Sequence, residues 1–380
     1  MTRVVRTLAK TAVLVALFVA CNATERPPPL TFTSPPEEGG TPFFGSEAGE
    51  GGVPRCGLPT PEVCDCVEMP LAAEPPNIYF VLDHSGSMAA DDLWKSTSVV
   101  VLNIVRSIGN RAKFGAAMFP STSTGNSCAT GGEIMSTRLG DAPGTYGTTW
   151  TFLHDRTIAI PPSGGTPLAS TLSSLTKTIT GLPGKTFVVL ATDGGPNCGV
   201  TACSTAECIP NIESVQGCTP NGPNCCANFP ENCLDATATR VAVSGIADKG
   251  VPVYIVGVPG SAPYATLLDD LAVRGGTAQM GAPQKYYRVD TASEAALSLA
   301  LRKVAAKIVA TCDIDLTKEP SDPNKVNVYL DEVVLPKADE NGWKRDGKHI
   351  TLTGTACDRV KSGEVLDVRV IAGCPTVNPN

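Results

Sequence analysis

The stretch Asn77-Ile78-Tyr79-Phe80-Val81-Leu82-Asp83-His84-Ser85-Gly86-Ser87-Met88 decides the fold. Its apolar run, 78–82, reads as a buried strand, because five consecutive apolar residues leave no alternate position for a wet face. The run breaks into a polar turn, and 90–108 then carries apolar residues at helical spacing. Strand, turn and helix in that order make the first half of a βαβ unit. The pattern repeats downstream, with strands expected at 114–119, 151–158, 186–190, 251–256 and, as an edge, 286–289. Helices are expected at 168–179, 234–247, 264–273 and 293–309, and a long loop at 120–150. The fold class that follows for 76–310 is α/β, with an open, doubly wound, mainly parallel six-stranded sheet.

After Cys312 the period changes to two, in Val326, Val328 and Leu330, in Ile350 and Leu352, and in Leu366, Val368 and Val370. Turn signals at Asn341-Gly342, Asp346-Gly347 and Ser362-Gly363 separate these runs. Helical spacing is absent, so 311–380 is expected to be a small antiparallel β module fixed by Cys357 and Cys374. In the other direction, 21–75 is rich in Pro, Gly, Glu and Thr and too poor in apolar residues to build a core, which implies a tether. Ahead of it Arg3, Arg6 and Lys10 precede an apolar run at 12–20, the charge and length of an export signal. That run is about half of what a spanning helix needs. It closes as Phe18-Val19-Ala20-Cys21, which resembles the lipobox of bacterial lipoproteins, with Phe18 where Leu is usual. The resemblance implies an acylated Cys21, contact with a membrane through a lipid anchor only, and a place in the cell envelope. The outer membrane is the expected site, facing the periplasm or the cell surface. An ordinary cleaved secretory peptide is the alternative.

Fifteen cysteines in 380 residues suit a compartment where disulfides persist. Without Cys21 they fall into four groups: Cys56, Cys64 and Cys66; Cys128 alone; Cys198, Cys203, Cys208, Cys218, Cys225, Cys226 and Cys233; and Cys312, Cys357 and Cys374. Each group is odd in number, so complete pairing requires at least two bridges between groups. Cys128 is expected to pair within the cysteine-rich insertion 196–233, and one amino-terminal cysteine with the Cys312 group. One or two free thiols are the alternative; a zinc site fits poorly, because the long cluster lacks two C-x2-4-C pairs. With 42% hydrophobic residues and a formal charge of −7, the composition is that of a globular chain with a sizeable core. There is no basic stripe of the kind nucleic-acid binding depends on, so no nucleic-acid partner is expected.

The chemistry is expected where the first strand ends. Asp83, Ser85 and Ser87 stand at alternate positions of a strand-to-helix turn and can point into one cup, and such hard oxygen ligands suit Mg²⁺, Mn²⁺ or Ca²⁺. Alone, a D-x-S-x-S string is a weak signal. Two further segments follow in order: Gly164-Gly165-Thr166-Pro167 opens a helix, and Ala191-Thr192-Asp193-Gly194 ends the central strand. Together the three segments resemble the metal-ion-dependent adhesion site of von Willebrand factor type A domains, over roughly 77–310. The resemblance implies a divalent-metal site made by Asp83, Ser85, Ser87, Thr166 and Asp193. It also implies that the hydroxyls bind the ion directly while at least one aspartate acts through water, leaving a cation that takes an Asp or Glu side chain from a protein partner. The function expected is therefore metal-dependent protein binding in the cell envelope, as adhesin or assembly scaffold, without catalysis.

Two alternatives stand beside it. One is an extracytoplasmic hydrolase using Ser85 or Ser87 with His84, which has neither a G-x-S-x-G elbow nor room for a triad among adjacent loop residues. The other is a metal-free structural protein, which leaves five oxygen ligands unexplained. His84 is expected to be a surface residue of the loop, and His154 and His349 packing or surface residues of strands. Gly184-Lys185-Thr186 precedes a strand, whereas a phosphate loop opens a helix, so it reads as a turn. Specificity is expected to lie in the loop 120–150 and the insertion 196–233.

Overall fold

The computed structural model describes residues 67–68 and 75–377, apart from 123–124, 292, 310, 331–332, 339, 363–364 and 366–367. The expected export signal, Cys21, and Cys56, Cys64 and Cys66 of the tether lie outside the described residues. Along the chain run β1 (Val67–Glu68), β2 (Asn77–Asp83), α1 (Leu93–Ile108), β3 (Lys113–Phe119), β4 (Gly132–Leu139), α2 (Thr148–Thr157), α3 (Leu168–Thr180), β5 (Thr186–Thr192) and α4 (Ile209–Ile212). Then come α5 (Ala236–Ala247), β6 (Val253–Gly257), α6 (Ala265–Arg274), β7 (Tyr287–Arg288), α7 (Glu294–Val309), β8 (Asp313–Asp315), β9 (Val326–Leu330), β10 (Val333–Val334), β11 (Trp343–Asp346), β12 (His349–Leu352), α8 (Gly354–Ser362) and β13 (Val368–Ala372).

Six strands form one sheet in the order β4-β3-β2-β5-β6-β7. All neighbours are parallel except the β3–β4 pair at one edge. Every residue of β2 is buried, and the alternation of a strand sends its side chains into two different cores. Ile78, Phe80 and Leu82 pack with residues of α1, α2 and α7, whereas Tyr79 and Val81 pack with those of α3, α5 and α6. Helices on both faces make the sheet doubly wound. This explains the uninterrupted apolar run: a parallel strand covered on both sides has no polar face to display.

Within the six-stranded sheet and its covering helices, three elements depart from expectation. The long loop 120–150 contains β4, which takes the antiparallel edge beside β3. The segment expected as the strand 151–158 is helix α2, so His154 lies on a helix. Its β-branched and aromatic residues favour a strand, but the carboxylate of Asp141 accepts hydrogen bonds from the amides of Thr149 (3.2 Å) and Trp150 (2.9 Å) and caps a helix there. Third, α1 begins at Leu93 and not at residue 90, because Asp91 and Asp92 adopt left-handed conformations (φ 49° and 55°) that no helix continues through.

The carboxyl-terminal module holds two antiparallel sheets, β1-β13-β9-β10 and β11-β12-β8, around a third core that includes Ile314, Val328, Trp343 and Ile350. Edge strand β1 comes from the segment expected as tether, and pairs Val67 with Ala372. The module also contains the helix α8, where the alternating pattern suggested none; Ala356 and Val360, four residues apart, face its core. Cys357 is bonded to Cys312, not to Cys374. Cys374 is itself disulfide-bonded. The insertion contains Cys203–Cys233, Cys208–Cys226 and Cys218–Cys225, and Cys198 reaches out of it to Cys128. No helix among the described residues is long and apolar enough to cross a membrane.

Candidate metal centre

Strand order reverses between β2 and β5: from β2 the chain proceeds to β3 on one side, and β5, β6 and β7 follow on the other. Loops leaving the carboxyl ends of such neighbours diverge and open a crevice, the usual ligand position in this architecture. Asp83 ends β2 and Asp193 follows β5, so the two carboxylates flank the crevice. Asp83 accepts a hydrogen bond from the Ser85 amide at 2.9 Å, which folds the turn back on itself. The hydroxyls of Ser85 and Ser87 are 3.1 Å apart, and that of Ser87 donates to Asp193 Oδ1 at 3.1 Å. Thr166 arrives from the loop before α3. Its hydroxyl and that of Ser87 both border Gly194, within 3.9 Å of where a Cβ would stand. The Gly86 amide donates to the Gly164 carbonyl (2.9 Å) and joins the first loop to the threonine loop.

All five expected residues thus meet in one place. Asp83, Ser85, Thr166 and Asp193 are buried, and Ser87 is exposed, so the cluster opens to solvent on its side. Burial pushes the Asp83 carboxyl above its ordinary range, against the pull of hydrogen bonds from Ser85 and Thr192. Asp193 is pushed up to about 8, first by burial and then by the charge of Asp83, with the Ser87 hydrogen bond opposing. Two buried carboxyls, the second raised further by the charge of the first, together with three hydroxyls, are a hard oxygen set into which Mg²⁺, Mn²⁺ or Ca²⁺ fits chemically.

His84 does not lie on the surface. It has no exposed area (0%), its amide donates to the Phe119 carbonyl at 2.7 Å, and its ring packs edge-on against Trp94 at 4.7 Å. Nε2 meets the Ile160 carbonyl at 3.2 Å, and burial holds the imidazole below its ordinary pKa. The contact between serine and imidazole that the hydrolase alternative requires is not made. Sulfur atoms of Cys203, Cys226 and Cys233 lie together, but each is consumed in a disulfide and offers no thiolate to a metal.

Four residues that the motif did not single out complete the surroundings. Thr192 donates from its hydroxyl to Asp83 Oδ2. Tyr264 donates to Glu213 of the insertion at 2.6 Å, and burial first, then that hydrogen bond and the charges of Glu213 and Asp193, raise the Tyr264 pKa. Asn197 binds the backbone of Thr166. Thr192 stands inside the quoted motif next to Asp193, a position that could have suggested its role; Asn197 and Glu213 carry no comparable signal.

No protein-family model matches the chain. No curated protein matches it either. Among solved structures it is similar to the pilus adhesin SpaC from Lactobacillus rhamnosus GG, at 15% identity and a TM-score of 0.45, over 80% of this chain and 40% of that one. A PilB minor pilin variant from Streptococcus sanguinis is 17% identical with a TM-score of 0.41, over 63% of each chain. A von Willebrand factor type A structure from Catenulispora acidiphila is 11% identical with a TM-score of 0.39, over 81% and 59%. The chain spans less than two thirds of the length of each of the three.

Proposed function

We propose that this chain is a non-catalytic protein-binding module of the cell envelope that recognises a partner's Asp or Glu side chain through a bound divalent cation, Mg²⁺ first among candidates. The observation that carries this reading is the meeting of five side-chain oxygens from three separate loops at the switch point of the sheet, open to solvent at Ser87. Ser85, Ser87 and Thr166 offer neutral oxygens, and Asp83 and Asp193 supply the negative charge that would hold the ion. When bound, the cation supplies a Lewis-acidic positive charge that an acidic side chain can meet. Asp83 is kept in place by the Ser85 amide and the Thr192 hydroxyl, so the protein's share of the site is fixed before any partner arrives. Acylation at Cys21, supported by the charged and apolar sequence ahead of it, would tether the module to a membrane.

Calorimetric titration of the purified chain with Mg²⁺ tests this reading. Saturable binding is expected, abolished by Asp83→Ala, together with chelator-sensitive retention of acidic envelope protein that the same substitution removes. A wild-type chain that takes up no divalent cation at millimolar concentration would overturn it, and turnover of an ester or peptide that persists in chelator would favour the hydrolase.

A further inference from the structure

The loop that delivers Thr166 is gripped from two sides. On one side the Gly165 amide donates to the Ser127 carbonyl at 2.8 Å. On the other, Asn197 closes a two-point clamp: its side-chain Oδ1 accepts from the Thr166 amide at 2.6 Å, and its own amide donates to the Thr166 carbonyl at 2.9 Å. Ser127 and Asn197 are followed in sequence by Cys128 and Cys198, and these two cysteines are joined to each other. Their sulfurs sit directly on Gly165, where a Cβ would come within 2.7 Å of Cys198 Sγ, 2.9 Å of Asn197 Oδ1 and 3.5 Å of Cys128 Sγ. Only glycine fits beneath the bridge. Every hydrogen bond of Thr166 among the described residues uses its backbone, so its hydroxyl is uncommitted and faces the crevice beside Gly194.

We propose that the Cys128–Cys198 disulfide and Asn197 form a covalent bracket that positions the Thr166 hydroxyl for the cation and thereby sets the preference of the site for a small ion over a large one. This rests on the metal-binding reading above. The physical reason is ligand rigidity. Mg²⁺ demands near-octahedral geometry with short, inflexible bonds, whereas Ca²⁺ accepts longer bonds and irregular ligand sets. A hydroxyl held by a bracket satisfies the first ion; one on a loose loop still serves the second. Asn197 and the two cysteines are positioning residues, since none of them contributes a ligand.

The experiment is a pair of calorimetric titrations, with Mg²⁺ and with Ca²⁺, on the full chain and on three variants, combined with amide hydrogen exchange at Gly165 and Thr166 without metal. Cys128→Ser/Cys198→Ser and, with the bridge intact, Asn197→Ala are expected to lose about tenfold to a hundredfold in Mg²⁺ affinity, the range for groups that orient a ligand. Their Ca²⁺ affinity is expected to fall much less, and both amides to exchange faster. Cys218→Ser/Cys225→Ser, which opens a bridge of the same insertion distant in sequence from Asn197, is expected to leave the Mg²⁺/Ca²⁺ ratio unchanged. A bracket variant with the wild-type ratio and wild-type amide protection overturns the inference while metal binding stands. A wild-type chain that binds neither ion overturns both. An equal fall in affinity for the two ions, in bracket and control variants alike, reduces the bridge to general stability and also overturns it.

Discussion

Thr192 gives its hydroxyl hydrogen to Asp83, a carboxyl with almost no access to solvent. Thr192→Val keeps the shape of the side chain and removes that donor, leaving the charged form of Asp83 less favoured. Mg²⁺ affinity is expected to fall about tenfold, the lower end for a group that supports a ligand; calorimetric titration checks it, and an unchanged curve would argue that Asp83 does not face the ion. His349 offers a pH test away from the site. Its imidazole bonds Asp315 at 2.9 Å and lies 3.5 Å from Asp313, and the Asp315 hydrogen bond first, then the charge of both acids, raises its pKa above the ordinary range. Because the folded value exceeds the unfolded one, the contribution to stability is fully present below about pH 6.5 and is lost as pH rises through the folded value. Proton NMR should place the His349 midpoint above that of a free histidine, and Asp315→Asn should bring it down. The five oxygen residues are legible in the sequence because Asp83 and Asp193 fall at the ends of readable strands, Thr166 at the start of a readable helix, and Ser85 and Ser87 at alternate positions after Asp83. Thr192 and Asn197 act on residues 109 and 31 positions away, and no local pattern records such a contact. His84 misleads for the same reason: a polar residue in a loop motif reads as wet, yet Trp94 and Ile160 close over it.

Among elements, the buried strands are the most readable, since a sheet covered on both faces admits only apolar runs and those runs stand out from everything around them. Helix α2 is the counterexample. Its composition points to a strand, and what makes it helical is a carboxylate seven positions before its first residue, Asp141, reaching the amides of Thr149 and Trp150. Asp141→Ala removes that cap and should cost about 1 kcal/mol. Chemical denaturation followed by circular dichroism measures it, and Asp141→Asn, which keeps an acceptor, should recover part of the loss. No loss in the alanine variant would show that packing of Leu153 and Thr157 alone specifies the helix. Helix α8 escapes the sequence for a different reason. It is nine residues long and sits among strands whose period of two dominates any window wide enough to be scored.

At the scale of the molecule, the core of the carboxyl-terminal module is distinct from the two cores that line the six-stranded sheet. Each region carries its own long-range bridge, Cys312–Cys357 closing a 45-residue separation in the module and Cys128–Cys198 a 70-residue separation at the crevice end of the sheet. In the loop-closure picture either bridge restrains the unfolded chain by about 4 kcal/mol, but the benefit falls on whichever region unfolds with it. Differential scanning calorimetry should therefore resolve two transitions. Cys312→Ala/Cys357→Ala should lower the one belonging to the module and leave the other in place, while Cys128→Ala/Cys198→Ala should do the reverse. A cation bound between Asp83 and Asp193 stabilises only the region that holds it, by about 2.7 kcal/mol at a hundredfold excess over its Kd, so Mg²⁺ should raise the sheet transition alone. If Mg²⁺ and both pairs of substitutions instead move a single transition together, the packing of α7 against α8 couples the cores into one cooperative unit, and an event at the metal centre would reach the module at the far end of α7.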